Sequence, residues 1–242
     1  MTSLFLVLPT HNEARVLEKN LRAVHAFCLA HLTAYAWEIC IADNGSRDET
    51  PHIAERLSSE LPHVEWSAMQ EAGRGGALRR AWGNASADIL AYMDADLATD
   101  LSALPLLLRA LDHGADIAVG SRFVDGASVF RSLHREIFSR GYNLLVRMLL
   151  GLRVRDAQCG FKAFTKKAAL ELLPLTHNTQ WFFDTELLYC AQNRGMRITE
   201  VPVAWVESRD KGRKSTVRIL QTMIAYIIAI VQLRLRKENV RS

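Results

Sequence analysis

Short apolar runs and longer amphipathic stretches take turns along the first half of the chain. Residues 4–8 form an apolar run stopped by Pro9, and residues 38–42, 64–68, 89–93 and 117–120 repeat the pattern. Short runs of this kind, bounded by turn formers, predict buried strands. Between them, residues 13–31, 48–61, 75–84 and 101–111 carry apolar positions at helical spacing and predict helices. Asn12 stands where an N-cap is expected for the first of these helices, and Pro51 falls in the opening turn of the second. Strands that alternate with helices imply a mainly parallel sheet covered on both faces, an α/β fold. In such sheets ligands bind beyond the carboxyl ends of the strands. His11-Asn12-Glu13, Asp43-Asn44, Asp94-Ala95-Asp96 and Ser121-Arg122 all fall at those ends.

The second half has a different texture. Residues 133–150 predict a basic, leucine-rich helix, 158–165 and 197–203 two strands, and 181–193 a helix. Residues 206–215 read as a charged loop, and 216–236 as a long terminal helix. In that last helix Arg218, Thr222, Ala225, Ala229, Gln232 and Arg236 form a narrow small-or-polar stripe, and the rest is largely apolar. Such a helix must cover itself with bilayer, with a partner or with a second copy. Its longest apolar run, 223–231, falls well short of the roughly 20 residues of a spanning helix. The chain therefore divides into a catalytic-sized unit over 1–215 and an amphipathic appendage over 216–242.

Composition narrows the class only a little. Of 242 residues, 49% are hydrophobic, with 13 glycines and 6 prolines, which argues for one well-packed domain. The net charge of +4 favours an anionic partner without choosing among nucleotide, nucleic acid and lipid headgroup. The residues show no nucleic-acid-binding signature, and none is expected as a partner. Cys28, Cys40, Cys159 and Cys190 make no CxxC pair, so reduced thiols in the cytosol are expected rather than a zinc site. The first residues lack the charged and long apolar regions of a signal peptide. Trp37, Trp66 and Trp82 read as core residues.

Three clusters carry candidate chemistry. Asp94 and Asp96, two carboxylates two residues apart past a buried strand, can share a hard divalent cation such as Mg²⁺ or Mn²⁺, or cap a following helix. Asp43 can accept the N–H groups of a nucleobase, or serve only the Asn-Gly turn beside it. Gly73-Arg74-Gly75-Gly76 can bring backbone and a guanidinium to a phosphate, or simply start a helix.

Taken in order, VLPTHNE at 7–13, DNGSRDET at 43–50, GRG at 73–75, DAD at 94–96, GSR at 120–122, SRGYN at 139–143, DAQCGFK at 156–162 and FDTEL at 183–187 resemble glycosyltransferase family 2. The similarity lies with the branch of dolichyl-phosphate mannose and glucose synthases and covers residues 4–215. It implies a GT-A, Rossmann-like fold and inverting transfer of a hexose from a nucleotide-sugar, UDP- or GDP-linked, to a polyprenyl phosphate. It implies that Pro9, His11, Glu13 and Asp43 hold the nucleoside and that Asp94, Ala95 and Asp96 hold the Mg²⁺ or Mn²⁺ and donor. Arg122 and Arg135 are implied as phosphate ligands, beside Arg74 as a donor-binding candidate, Arg209 and Lys214 as loop residues over the donor, and Asp184 and Glu186 as the acidic pair near sugar and acceptor. A hydroxyl acceptor would need a base, for which Asp184 is the candidate. Departures from the family pattern are Asn44 for a second aspartate, Arg74 for a lysine, Glu71 for an asparagine, and Ala98 where some relatives place a further metal ligand.

Arg140, Arg147, Arg153 and Arg155 surround two leucine-rich stretches at 144–146 and 148–150, which suits a helix lying among anionic headgroups or, equally, a core helix with a solvated basic face. The expected place is the cytoplasmic face of a membrane, bound peripherally, with a homodimer or membrane partner met through the terminal helix. A nucleotidyltransferase and a non-catalytic sugar-nucleotide-binding subunit are the other functions this pattern allows.

Overall fold

A computed structural model describes residues 1–70, 72–207 and 219–236. Glu71, Arg209, Lys214 and residues 237–242 lie outside the described residues, as do Thr216 and Arg218 of the expected terminal helix.

The chain forms β1 (Thr2–Thr10), α1 (Leu17–His31), β2 (Tyr35–Asn44), α2 (Thr50–Glu60), β3 (Val64–Met69), α3 (Arg74–Gly83), β4 (Ile89–Met93), α4 (Ala103–Asp112) and β5 (Ile117–Ser121). It continues with β6 (Ser128–Phe130), α5 (Leu133–Leu150), β7 (Phe161–Thr165), α6 (Lys166–Leu172), a short 3₁₀ turn (Leu173–Leu175), α7 (Phe183–Asn193), β8 (Ile198–Pro202), β9 (Ala204–Val206) and α8 (Ile219–Leu235). Seven strands make one sheet in the order β3-β2-β1-β4-β7-β5-β8, and β6 pairs with β9 beside it. All pairs in the large sheet are parallel except those made by β7, which runs antiparallel to both β4 and β5.

Strand alternation sorts the core into two layers. Leu4, Leu6 and Leu8 of β1 and Ile89, Ala91 and Met93 of β4 face α1, α2 and α4. Phe5, Val7, Leu90 and Tyr92 face the other way, against α3, α5, α6, α7 and α8. Strands buried on both faces are expected to be apolar throughout, which is why the runs in the sequence are continuous rather than alternating. Trp82 is fully buried and Trp37 nearly so. The four cysteines are free and buried, and burial pushes each thiol up to about 12, as suits inert core residues.

Three local expectations change. The first helix starts at Leu17, and Asn12 does not cap it. Asn12 instead takes a left-handed conformation (φ 55°), and its side chain accepts the Arg47 N–H at 2.9 Å while its own N–H goes to Ser46 Oγ at 2.9 Å. The local asparagine thus ties the end of β1 to the turn after β2. The strand expected at 158–165 begins at Phe161, because residues 156–160 form a turn in which Asp156 holds Arg122. The terminal helix packs through Ile230 and Leu233 and through Tyr226, whose ring meets Tyr142 at 4.8 Å. Ile227, Ile228, Val231 and Leu235 remain exposed, and no helix among the described residues is long and apolar enough to cross a membrane.

Candidate active site

The expected residues gather at the carboxyl end of the sheet in two corners. The first lies where β1 and β2 end. Thr10 and Asp43 face each other in register, and the Asn44-Gly45 turn that follows places Gly45 at φ 66°. His11 Nδ1 lies 2.7 Å from the Asn44 carbonyl oxygen, and the Glu13 N–H donates to Thr50 Oγ1 at 2.8 Å. Pro9, His11, Glu13 and Asp43 are thereby brought together. Asp43 is 2% exposed, and one of its oxygens, Oδ2, takes the Ser46 N–H at 3.3 Å. The other, Oδ1, is buried without a hydrogen-bond partner among the described residues, as is Thr10 Oγ1. A buried polar atom left unpaired costs about 1–3 kcal/mol, so these two atoms have capacity for a partner from outside the chain.

The second corner lies where β4 ends. Register places Tyr92 of β4 directly across from Lys162 of β7, and the Asp94 N–H bonds the Gly160 carbonyl at 3.1 Å. Gly160 is required there, because a Cβ would collide with the Asp94 carboxylate. Asp94 and Asp96 sit half-buried at the mouth, and Ala95 beneath them is buried. Asp96 Oδ1 takes the Ala98 N–H at 3.1 Å, and the Ala95 carbonyl takes Asn20 Nδ2 at 2.8 Å.

Arg74 reaches this corner from α3. It is 6% exposed, pairs with Asp94 at 2.7 Å and with Asp184 from α7 at closer range, and lies over the Tyr92 ring. Asp184 is equally buried. Besides Arg74 it takes the Tyr92 hydroxyl and, at 3.2 Å, the Lys162 ammonium. Burial alone would raise its pKa, but Arg74 and Lys162 outweigh it and hold the carboxyl below the usual range. Asp94 moves the opposite way. Desolvation pushes it above the usual range, Asp96 and Asp184 add to that, and Arg74 opposes them. A group of carboxylates with surplus negative charge and hard oxygen donors at its mouth is chemically suited to a divalent cation, which Asp94 and Asp96 could hold.

Of the two readings open for the glycines at 73–76, the structure shows the helix start, with Gly73 at the N-cap of α3, and adds a close approach. A Cβ on Gly75 would stand 2.6 Å from Phe183 Cβ, and one on Gly73 would stand 2.8 Å from the Thr179 carbonyl oxygen. They let α3 press its first turn against the segment before α7, and so seat Arg74 among carboxylates.

The other arginines lie along the same rim. Arg122 is held by Asp156, with Nε and Nη2 at 2.7 and 2.9 Å from its two oxygens. Arg135, on the first turn of α5, is exposed and pairs with Glu207 at 3.0 Å. Arg122 and Arg131 share the rings of Phe123 and Trp205, and the Thr99–Trp205 bridge ties that patch to the segment after Asp96. Glu186 is not at the mouth. It is buried behind α7, where Oε2 takes the N–H groups of His177 and Asn178 at 2.9 and 2.7 Å.

Lys162, Tyr92 and Asp156 were not singled out as site residues from the sequence. A lysine inside the apolar strand Phe161-Lys162-Ala163-Phe164 was the available signal, since a buried ammonium needs a buried anion.

A family model described as "Glycosyl transferase family 2" matches residues 5–173. The chain is 42% identical over 207 residues to glycosyltransferase AglD of Haloferax volcanii, covering 85% of this chain and 33% of that protein, so it spans a third of that relative's length. It is 33% identical over 225 residues to the dolichyl-phosphate beta-glucosyltransferase of Drosophila melanogaster and 32% over 223 residues to that of Homo sapiens, in each case 84% of this chain and 67% of the other. Among solved structures, glucosyl-3-phosphoglycerate synthase from Mycobacterium tuberculosis in complex with Mn²⁺, UDP and phosphoglyceric acid superposes with a TM-score of 0.67 at 19% identity, over 98% of this chain and 78% of that one.

Proposed function

The chain belongs to glycosyl transferase family 2, a glycosyltransferase with the GT-A fold, and from that premise we propose that it transfers a hexose from a nucleotide-sugar to a polyprenyl phosphate at a membrane surface. The observation that carries the choice of acceptor is the occupancy of Asp184. Transfer to a hydroxyl needs a base to take its proton, and the base must be free to receive it. Asp184 is committed to Arg74, Lys162 and Tyr92 and is held ionised below the usual carboxylate range, which makes it a poor base. Glu186 is turned away, and Asp94 and Asp96 stand where a cation is expected. A phosphate monoester, whose second pKa is about 6, arrives already anionic and needs only to be positioned. The names of the eukaryotic relatives point to the same acceptor class.

In this reading Asp43, with Pro9, His11 and Glu13, holds the nucleoside. Asp94 and Asp96 hold the Mg²⁺ or Mn²⁺, which when bound offsets charge building on the leaving diphosphate. Arg74 keeps both Asp94 and Asp184 oriented, and Arg122, Arg135, Arg209 and Lys214 supply positive charge along the phosphate path. Displacement at the anomeric carbon inverts its configuration. Residues 1–215 make the catalytic unit. Residues 216–242 and α5 make the membrane-facing part, where exposed Leu144 stands with Arg140 and Arg147 at a groove of about 390 Å³ that Phe123, Asn143 and Arg155 also line, and Met148 is exposed on the same helix. A second copy or a membrane protein could share the exposed face of α8, and the cytoplasmic leaflet is the expected side.

The test is a donor panel. UDP-glucose and GDP-mannose, each with Mg²⁺ or Mn²⁺, are offered with a short polyprenyl phosphate and with the matching polyprenol. The expected product is a lipid-extractable sugar phosphate that mild acid cleaves. Equal transfer to the polyprenol would overturn the choice of acceptor.

A further inference from the structure

We propose that Arg236, at the end of the terminal helix, is a positioning residue for the donor end of the site and acts through Glu186. It rests on reading the Arg74–Asp94–Asp184 cluster as that end. Glu186 is 3% exposed and has two tasks. Its Oε2 gathers the N–H groups of His177 and Asn178, which shapes the segment 176–180. Its Oε1 meets Arg236 Nη2 at 2.5 Å, and the same nitrogen donates to the Leu175 carbonyl at 2.9 Å. A buried carboxylate that receives only two amide N–H groups keeps an uncompensated charge, and the guanidinium from the far end of the chain supplies the balance.

The segment so shaped is the abutment for α3. The Gly76 N–H bonds the Thr179 carbonyl at 3.0 Å, Gln180 Nε2 bonds the Ala72 carbonyl at 2.9 Å, and Gly73 and Gly75 lie too close to this segment and to Phe183 to admit a side chain. Arg74 leaves α3 at that point. The contacts form one unbroken series: Arg236 to Glu186, Glu186 to 177–178, Thr179 to Gly76, Arg74 to Asp94 and Asp184. The helix that carries the membrane-facing apolar residues is by this route a strut of the donor site.

The experiment uses the full chain with Arg236→Ala, Arg236→Lys and, as a control on the same helix, Arg234→Ala, whose side chain bonds the Leu149 carbonyl instead. Amide hydrogen exchange is followed in residues 73–80 and 176–182, with β1 as the internal reference. Arg236→Ala is expected to speed exchange in both segments by about 10-fold or more, the size of a lost hydrogen bond to a charged group. In steady-state transfer with the donor found in the panel above, the same variant raises the donor KM by a similar factor and leaves the acceptor KM unchanged. Arg236→Lys recovers most of both effects, and Arg234→Ala shows neither. A second route is Glu186→Gln, after which adding Arg236→Ala should raise the donor KM no further. Unchanged exchange in Arg236→Ala, the same change in Arg234→Ala, or additive effects in the double variant would each overturn the proposal. A wild-type chain that transfers no sugar would overturn the functional reading instead, and leaves the exchange measurement to decide this one.

Discussion

Asp43 and Asp184 are both almost fully buried carboxylates at the ligand edge of the sheet, yet their surroundings differ completely. Asp43 has an oxygen with no partner among the described residues, next to a threonine hydroxyl in the same condition. Asp184 is met by an arginine, a lysine and a tyrosine. The first is an incomplete set that a ligand can finish, and the second is a finished set that a ligand would only disturb. Two acidic residues that look alike in the sequence therefore differ in kind: in the proposed reading Asp43 recognises the nucleoside, and Asp184 holds the framework beside it.

The comparison can be broken in four ways, in order of expected size. Asp96→Ala belongs to neither class, since its carboxylate faces the mouth. It is expected to reduce metal-dependent transfer by about 10²–10³-fold, as for the loss of one transition-state charge stabiliser, with an unchanged melting curve. Asp184→Asn is expected to cost about 3–5 kcal/mol, because it leaves Arg74 and Lys162 buried with less negative charge. Calorimetry should show a Tm lower by about 10 °C for a chain of this length. A variant as stable as the wild type would mean that Asp184 is not the framework residue described.

Asp43→Asn should do the reverse. Nucleotide binding, measured by titration with UDP and with GDP, is expected to weaken by about 10- to 100-fold, while stability stays level or rises. A clear loss of stability without a loss of affinity would erase the distinction between the two corners. The smallest effect is a difference of sign with pH. The folded-state value of Asp184 is lowered, so its contribution is present above the unfolded pKa and lost as pH falls through the folded value, beneath the usual carboxylate range. Asp94 is raised, so ionising it costs stability at neutral pH, and that cost is relieved as pH falls through a value above the usual range. Thermal scans from neutral to acid should find Asp94→Asn more stable than wild type at neutral pH with the gain fading on acidification. The deficit of Asp184→Asn should be greatest at neutral pH and shrink on the same path.

What could be read from the sequence was what neighbours in sequence decide. The apolar runs located the strands, and the carboxylates at 43, 94 and 96 could be placed at strand ends because each follows its strand directly. The reading stopped where a residue's meaning comes from a distant one. Lys162 and Tyr92 are 70 residues apart and meet only because β7 enters the sheet beside β4. Nothing local says that Asp156 holds Arg122, or that Glu186 turns inward to the 177–178 amides rather than outward to a substrate. The glycines on either side of Arg74 were legible as a close approach, but what approaches is Phe183 and Thr179, more than 100 positions later. Asn12 shows a local limit as well: its preference for caps and for left-handed backbone are both real, and the contacts to 46–47 select the second.

The reversal of β7 within the large sheet also bears on how the molecule is made. β4 and β5 do not touch as a pair, because β7 lies between them. On a ribosome, β1 to β4 can assemble in the order they emerge, but β5 must wait about 40 residues for its partner, with both edges open. The Asp94–Gly160 contact closes in that same late event. Chains released before residue 161 would display three bare strand edges, one on β4 and two on β5, and no completed Asp94 corner, so stalled synthesis should yield aggregation-prone fragments rather than a smaller working enzyme.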